Sequence, residues 1–490
     1  MGDFCSGTLV SFLGYLALMV LIGAFFCRRN NSLYEYLLGG RGLGSWVTAI
    51  SAQASDMSGW LLMGLPGAIY AGGMGDVWVA IGLGIGTLLN WLLVAPRLRV
   101  YTERVSALTL SSFFAERFRD PSGLLRAVSS LIILLFFTIY AASGLVAAGK
   151  LFDTMFHIEY RTAVLIGAAA ILLYTLLGGY LAVCWTDLIQ GMLMVTAIVV
   201  VPLAALRHAG GVEAVIDAGT VKNLSLLPGS GNDLTVLAIL SCAVWGLGYF
   251  GQPHILSRFM SVKSVKLLPR SITIAMIWVV ISLVGAVAVG FVAMPLYPGL
   301  SEAAAEKVFI RMIMDFFPPA FGGILLAAIM AAVMSTIDSQ MMVSTSALTE
   351  DFYRRVIRRE ASVRELIRVS RGFVVVIAVL ATLIALFPND TIFNIVKFAW
   401  GGFGAAFGPV VLMALYSRRT TWQSALSGMV TGTVVMIAWY LLGWNRYMYE
   451  ILPGFAANFL VMTVMDRLHP QRDPAVLAQF DAVRGAARMR

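Results

Sequence analysis

The run Ser51-Ala52-Gln53-Ala54-Ser55-Asp56-Met57-Ser58-Gly59 places small and polar residues, one of them a carboxylate, between apolar flanks. What it means depends on its surroundings. Of the 490 residues, 59% are hydrophobic and only 12% are charged, about half the charged share of an ordinary soluble domain. A chain this apolar has too little polar surface to cover the roughly three soluble cores its length would otherwise suggest. It reads as an integral membrane protein, in which about a dozen helices of roughly 20 residues leave little room for extramembrane domains. At membrane depth, backbone outside a regular helix persists only where protein buries it or where it lines a watery cavity. Ser51 to Gly59 therefore predicts a broken membrane helix.

Working outward, Gly, Pro and charges punctuate thirteen candidate spans: 7–26, 44–70, 77–96, 127–149, 162–180, 185–206, 234–253, 271–294, 320–347, 372–387, 392–416, 422–443 and 451–466. The seventh repeats the anomaly of the second, since Trp245-Gly246-Leu247-Gly248-Tyr249-Phe250-Gly251-Gln252-Pro253 is rich in glycine and ends in proline. Close helix packing through small residues is the plainer reading of that stretch. Its position argues for a break, because the two stretches lie five spans apart and each is followed by four more, as two inverted five-helix repeats would be. The chain then divides into an N-terminal extra helix and first cytoplasmic loop (1–43), a first repeat (44–206), an external loop (207–233), a second repeat (234–416), two C-terminal helices (417–466) and a cytoplasmic tail (467–490).

The 35 Lys and Arg, with a net charge of +9, would suit nucleic acid only if they formed a patch. They lie in loops instead. With the N-terminus outside, 27 fall on internal segments and seven on external ones, with Lys397 inside a span. This asymmetry predicts an external N-terminus and a cytoplasmic C-terminus. The seven arginines between Tyr353 and Arg371 read as a topology anchor rather than an RNA-binding patch. Cys5, Cys27, Cys184 and Cys242 are far apart with no CxxC pair, which argues against a metal cluster or a disulfide scaffold. Gly7 to Phe26 lacks a basic leader and precedes Cys27-Arg28-Arg29, so it reads as a retained first helix. The tail, with Arg484, Arg488 and Arg490, reads as solvated or lying on the lipid surface.

Few ionisable groups fall well inside the spans: Asp56, Asp187, Asp338 and Lys397. Each costs a few kcal/mol or more to place there and invites a functional reading. Asp56 sits in the predicted break, where carbonyls freed from helix bonding can hold a small cation. Asp187, near the predicted start of its span, suits either a functional role or a helix cap, and Lys397 can snorkel to the nearer surface. In the ninth span Ser335, Asp338 and Ser339 are spaced i, i+3, i+4 and share one helix face, with Thr336 beside it. Hydroxyls, carbonyls and carboxylates suit a hard cation such as sodium and not zinc, although membrane Ser and Thr also bond their own helix or a neighbour. Trp60, Tyr140, Trp245 and Tyr249 lie near breaks or at mid-span, where they serve either as walls for a small solute or as core packing.

From Ala54-Ser55-Asp56-Met57-Ser58-Gly59-Trp60 through Gly67 the chain resembles the sodium:solute symporter family, and within it the bacterial sodium/proline symporters. The likeness continues at Phe136-Phe137-Thr138-Ile139-Tyr140, Leu181 to Asp187, Trp245 to Phe259, Ala331-Ala332-Val333-Met334-Ser335-Thr336 and Trp400 to Pro409. It implies an all-α polytopic protein of about 13 transmembrane helices with a LeuT-like inverted-repeat core of 5+5 helices, in the bacterial inner membrane. It further implies uptake of L-proline with Na⁺ as coupling ion, no cofactor and no obligate protein partner. By the same resemblance, the carbonyls of Ala54, Met57 and Ala332 and the hydroxyls of Ser335 and Thr336 form a sodium site, with Asp56 and Ser58 important for sodium coupling. Trp60, Gly64, Tyr140, Trp245, Tyr249 and Pro253 match positions associated with proline. Arg41, a topology anchor by its position, matches one linked to transport.

One departure stands out. After Ser335-Thr336 the sodium/proline symporters carry Leu-Ser-Cys-Gln, whereas this chain has Ile337-Asp338-Ser339-Gln340. Relatives with a second sodium ion use serines on this face with the aspartate matching Asp187, so Asp187, Asp338 and Ser339 are the candidate second cation site. The expected mechanism is alternating access, with sodium binding between the second and ninth spans before solute. Rivals are the same machine for another amino acid, a sugar acid or a vitamin, and, more remotely, a cation channel, whose filter or ring of charge is not visible. No Walker loop, nucleophile elbow or His/Cys metal pattern points to an enzyme.

Overall fold

The computed structural model describes residues 2–27, 33–176, 179–217, 224–226, 235–388 and 390–486. Arg28 and Arg29, residues 218–223 and 227–234 around the predicted external loop, Arg488, Arg490 and the side chains of Cys5 and Cys27 lie outside the described residues. Each of the thirteen predicted spans contains helix. Among the described residues nine helices are long and apolar enough to cross a membrane, ten if the bent pair Val236–Gly251 and Pro253–Ser261 is one span; Gly7–Gly23, Trp60–Gly72 and Tyr160–Leu173 are apolar but shorter. Large apolar side chains such as Val10, Val236 and Leu441 stand exposed, as a lipid-facing surface requires. The most enclosed helices are Pro319–Arg355 and Ile392–Tyr416, each 83% buried, against 28% for Val363–Ala385 and Ile451–Leu468. Pro319–Arg355 and Ile392–Tyr416 thus lie at the centre, and Val363–Ala385 and Ile451–Leu468 at the periphery.

Both predicted breaks are present. The first half of the second span is the helix Ser45–Asp56; it stops where Met57 leaves helical geometry (φ −83°, ψ 78°). Ser58 N–H then turns to Asp56 O (3.0 Å) and Trp60 N–H meets Ser58 Oγ (3.4 Å), so the carbonyls of Ala54 and Asp56 lose their usual i+4 partners. The unwinding is shorter than expected. Ser51 to Asp56 stay helical and Asp56 is the last helical residue, because turning away only the N–H groups beyond Met57 suffices to free those carbonyls. The chain resumes as a widened turn, Trp60–Gly64, and a helix, Leu65–Gly72.

In the seventh span a tight helix, Val244–Gly251, ends at extended Gln252 (φ −81°, ψ 107°), and Pro253–Ser261 departs from it by 47°. Pro253 does not close the span, as expected, but opens the next half-helix, where its missing N–H is not needed. The packing reading holds as well. A Cβ on Gly246 would meet the Gly82 carbonyl carbon at 3.1 Å and Gly86 Cα at 3.2 Å, so two backbones touch there as small residues permit. Beyond the breaks, Leu43 and Val262 pair in a short parallel bridge, with Leu43 N–H donating to Ser261 O (3.2 Å) and Lys263 N–H to Leu43 O (2.9 Å). The two broken spans are thereby tied at one end.

Several boundaries shift; the helix of the tenth span, for one, begins at Val363 rather than at 372. Tyr180, assigned to the end of the fifth span, begins the helix Tyr180–His208, which places Asp187 two turns inside it. The tail is not simply solvated, because Pro474–Ala486 is a docked helix. Val476, Phe480 and Val483 sit at i, i+4 and i+7 and are buried. The Arg117 guanidinium lies over Phe480 (5.1 Å), while Arg418–Asp481 (3.0 Å) and Arg119–Asp473 (3.1 Å) flank the contact.

Candidate functional site

The freed Ala54 carbonyl points at the ninth span. Ser335 Oγ lies 2.8 Å from Ala54 O and 3.2 Å from Ala332 O, a contact between residues 281 positions apart in sequence. Thr336 Oγ1 beside it is buried with no hydrogen-bond partner among the described residues. Ser335 thus touches two others of the five predicted sodium ligands, and a fourth carries a buried oxygen with no partner among the described residues. Met57 is fully buried at the break. A set of carbonyls and hydroxyls suits a small hard cation, and an unpaired buried hydroxyl is costly unless something else meets it.

Asp56 faces away from this cluster. Its Oδ2 accepts a hydrogen bond from Tyr249 Oη at 2.6 Å, its Oδ1 has no partner among the described residues, and its carbonyl accepts from Tyr140 Oη (3.2 Å) and Trp60 Nε1 (3.3 Å). One residue therefore ties the break of the second span to the aromatic residues of the fourth and seventh. Ser58 contributes its Oγ to Trp60 N–H. The predicted solute residues gather around this point. The Trp60 and Trp245 rings lie 6.4 Å apart, Tyr249 stands edge-on to Trp400 at 4.9 Å, and Trp400 Nε1 donates to Trp245 O at 2.8 Å. Tyr140 meets the His254 ring edge-on, and Pro253 starts the half-helix that carries it. Gly64 lines a cavity of about 220 Å³ together with Gly67, Asp76, Glu306, Phe393 and Asn394.

A second polar cluster was only partly legible. Asp187 accepts from Ser51 Oγ at 2.6 Å and from Arg258 at 3.0 Å, and the Arg258 guanidinium also reaches Ser51 (3.1 Å) and Ser339 (2.5 Å). All four residues are fully buried. Arg258, counted in the sequence as a loop charge, is therefore the cation that Asp187 and Ser339 share in this conformation, and Asp187 is neither a helix cap nor a loop residue. The signal for it was the need of an intramembrane carboxylate for a partner. Asp338 does not join this group: its Oδ1 is bonded by Thr175, and its Oδ2 has no partner among the described residues.

Arg41 is likewise more than a surface anchor. It is buried and donates to Met260 O (2.6 Å), Thr102 O (3.0 Å) and Ala107 O (2.8 Å). Burial, and next the like charge of Arg99, push its pKa below the ordinary arginine value. Lys397 is half-buried, with its ammonium over the ring of the buried Tyr449 at 5.1 Å. His254 was missed altogether. Its ring is buried between Phe137 and Tyr140 with neither nitrogen bonded among the described residues.

Residues 36–432 match the sodium:solute symporter family. The chain is 46% identical over 482 residues to the sodium/proline symporter of Escherichia coli (strain K12), covering 96% of this chain and 95% of that one. It is 44% identical over 469 residues to the high-affinity proline transporter PutP of Bacillus subtilis (strain 168), covering 94% and 98%. Among solved structures, a Na⁺-coupled sialic acid symporter in a substrate-bound outward-open state superposes with a TM-score of 0.80 at 19% identity, over 95% of this chain and 99% of that one. MhsT in complex with L-phenylalanine superposes with a TM-score of 0.56 at 15% identity, over 86% and 98%. These two likenesses concern the fold, which is LeuT-like.

Proposed function

Because the chain belongs to the sodium:solute symporter family, we propose that it is a sodium-coupled secondary active transporter that imports L-proline by alternating access. It is a transporter rather than an enzyme, with Na⁺ as coupling ion, and a multi-pass protein of a bacterial inner membrane. The observation that carries the reading is the contact of Ser335 with the Ala54 carbonyl beside the Thr336 hydroxyl, which has no hydrogen-bond partner among the described residues. It supports sodium binding by Ala54, Met57, Ala332, Ser335 and Thr336, at the junction of a broken helix and an intact one. Asp56 and Ser58 couple that site to the solute, because Asp56 is bonded to Tyr249 and Tyr140. Trp60, Gly64, Tyr140, Trp245, Tyr249 and Pro253 enclose the proline ring, and the half-helix N-terminus at Pro253 faces its carboxylate. When both are bound the two repeats rock to the opposite opening. The membrane potential contributes about 2.3 kcal/mol per charge per 100 mV.

In this reading the chain crosses the membrane thirteen times in the domain order of the sequence division, with the N-terminus external and the C-terminus cytoplasmic, an orientation that the distribution of basic residues supports. Asp187, Asp338 and Ser339 form a second cation site only in a conformation where Arg258 withdraws. Proline uptake into proteoliposomes under an imposed Na⁺ gradient, wild type beside Asp56→Asn, tests the proposal. Uptake by the wild type alone is expected. Equal uptake by both refutes the role of Asp56, and none by the wild type refutes the proline reading; competition by other amino acids, sugar acids and vitamins then identifies the solute.

A further inference from the structure

Where the Leu124–Phe156 helix begins and the helix Pro319–Ser346 passes into the widened segment Ala347–Ile357, the two enclose a cavity of about 880 Å³. Arg126, Arg354, Arg355 and Arg359 line its polar side. Their charges are unevenly compensated. Arg126 is held by Glu116 (3.0 Å) and Asp351 (3.4 Å), and Arg354 by Glu350 (2.9 Å). The side chains of Arg355 and Arg359 have no carboxylate partner among the described residues. The acidic groups in the lining are already committed: Asp120 takes the N–H groups of Ser122 and Leu125, and Asp351 takes Thr109 and Arg126. Two guanidinium groups, those of Arg355 and Arg359, are left without a contacting carboxylate among the described residues.

The other side of the cavity is apolar. Leu131 is 64% exposed and Phe352 45%. Leu131 continues an exposed stripe of Leu124 and Leu135 on one face of its helix, the face that meets lipid. A free anion has no use for such a wall, and a zwitterionic lipid would bring its own cationic group among the four arginines of the lining. We propose that this cavity binds the phosphodiester headgroup of an anionic glycerophospholipid, with Arg355 and Arg359 on the phosphate and an acyl chain over Leu131 and Phe352. Guanidinium groups meet phosphate oxygens in pairs, and basic pockets between membrane helices on the cytoplasmic side recognise such headgroups. The bound lipid bridges the inner end of the helix that carries Ser335 and Thr336 to its neighbour, where Asp351 already links the two. The proposal rests on the membrane setting and on no particular solute, so its failure leaves the proline reading untouched.

Native mass spectrometry of the full chain in detergent, titrated with phosphatidylglycerol, phosphatidylcholine and inorganic phosphate, tests it. Phosphatidylglycerol binding is expected to weaken by about 25-fold in Arg355→Gln/Arg359→Gln, the combined worth of two basic residues at a lipid surface. It should change less than about twofold in Arg364→Gln/Arg368→Gln, which removes the same charge from exposed positions outside the cavity. Equal weakening in the two variants, equal binding of phosphatidylcholine, or equal occupancy by inorganic phosphate overturns it. Should the first variant not fold, the wild type answers: phosphatidylglycerol with a photoreactive acyl chain is expected to label peptides containing Leu131 or Phe352, and labelling confined to other helices overturns the proposal.

Discussion

Replacing Ser335 by alanine removes one oxygen from a fully buried site and little else. Its hydroxyl is the group that joins the break to the ninth span, at 2.8 Å from Ala54 O and 3.2 Å from Ala332 O. With sodium bound it becomes one of five ligands, and a hydrogen-bond-class interaction with a charged partner is worth about 1.5–3 kcal/mol. At about 1.4 kcal/mol per factor of ten, the half-saturating Na⁺ concentration for proline uptake should rise by about 10- to 140-fold. The maximal rate at saturating Na⁺ should stay near that of the wild type. The assay is uptake into proteoliposomes at a fixed membrane potential over a wide range of external Na⁺, repeated as Na⁺-dependent proline binding in detergent. Ser346→Ala is the control, since among the described residues that hydroxyl bonds only its own helix at Met342 O; its Na⁺ dependence should not move. A half-saturating Na⁺ within twofold of wild type for Ser335→Ala would refute the ligand reading. So would an unchanged half-saturation with a collapsed maximal rate, which marks a purely structural link.

Gly246→Ala should lower the melting temperature and the amount of protein in the membrane, because its Cβ meets the backbones of Gly82 and Gly86 and overpacking costs about 1–3 kcal/mol; Gly14→Ala, with nothing within 4 Å, should not, and equal melting of the two would contradict the close approach. Asp187→Asn leaves Arg258 buried without its ion partner, a loss of about 3–5 kcal/mol in thermal denaturation, whereas Asp187→Leu with Arg258→Met should recover most of it; a double variant no more stable than the single one counts against the pair. Phe480→Ala removes the central anchor of the tail helix, a change of about 3–5 kcal/mol at a packed site, and should speed tryptic cleavage at Arg472 and Arg484; unchanged cleavage means that the helix is not held there. If Asp338 belongs to a second cation site, Asp338→Asn lowers the Na⁺ Hill coefficient and the charge carried per proline, and unaltered values of both remove it from that site.

Local chemistry was enough to read the class of the molecule and much of its plan. The scarcity of charge, the spacing of apolar runs and the polar interruptions at Ser51 to Gly59 and Trp245 to Pro253 are properties of short windows, and each had a counterpart in the helices. The break itself proved narrower than its polar composition, since small polar residues tolerate a helix and only Met57 and Ser58 had to leave it. Charge position was the least dependable guide: Arg41 and Arg258, which look like loop anchors, are buried and fully engaged.

The sequence by itself determined which residues could bind a cation, because oxygen-bearing side chains at i, i+3 and i+4 necessarily share a helix face. It could not say what that face meets. On that shared face Ser339 and Asp338 stand about one turn along the axis from Ser335 and to either side of it, so the three meet different partners. Ser335 reaches Ala54, Ser339 receives Arg258, and Asp338 turns to Thr175. Which oxygen meets which depends on how helices far apart in the chain cross, and that was decided only by tertiary packing, through contacts such as Gly246 on Gly82 that let backbones touch.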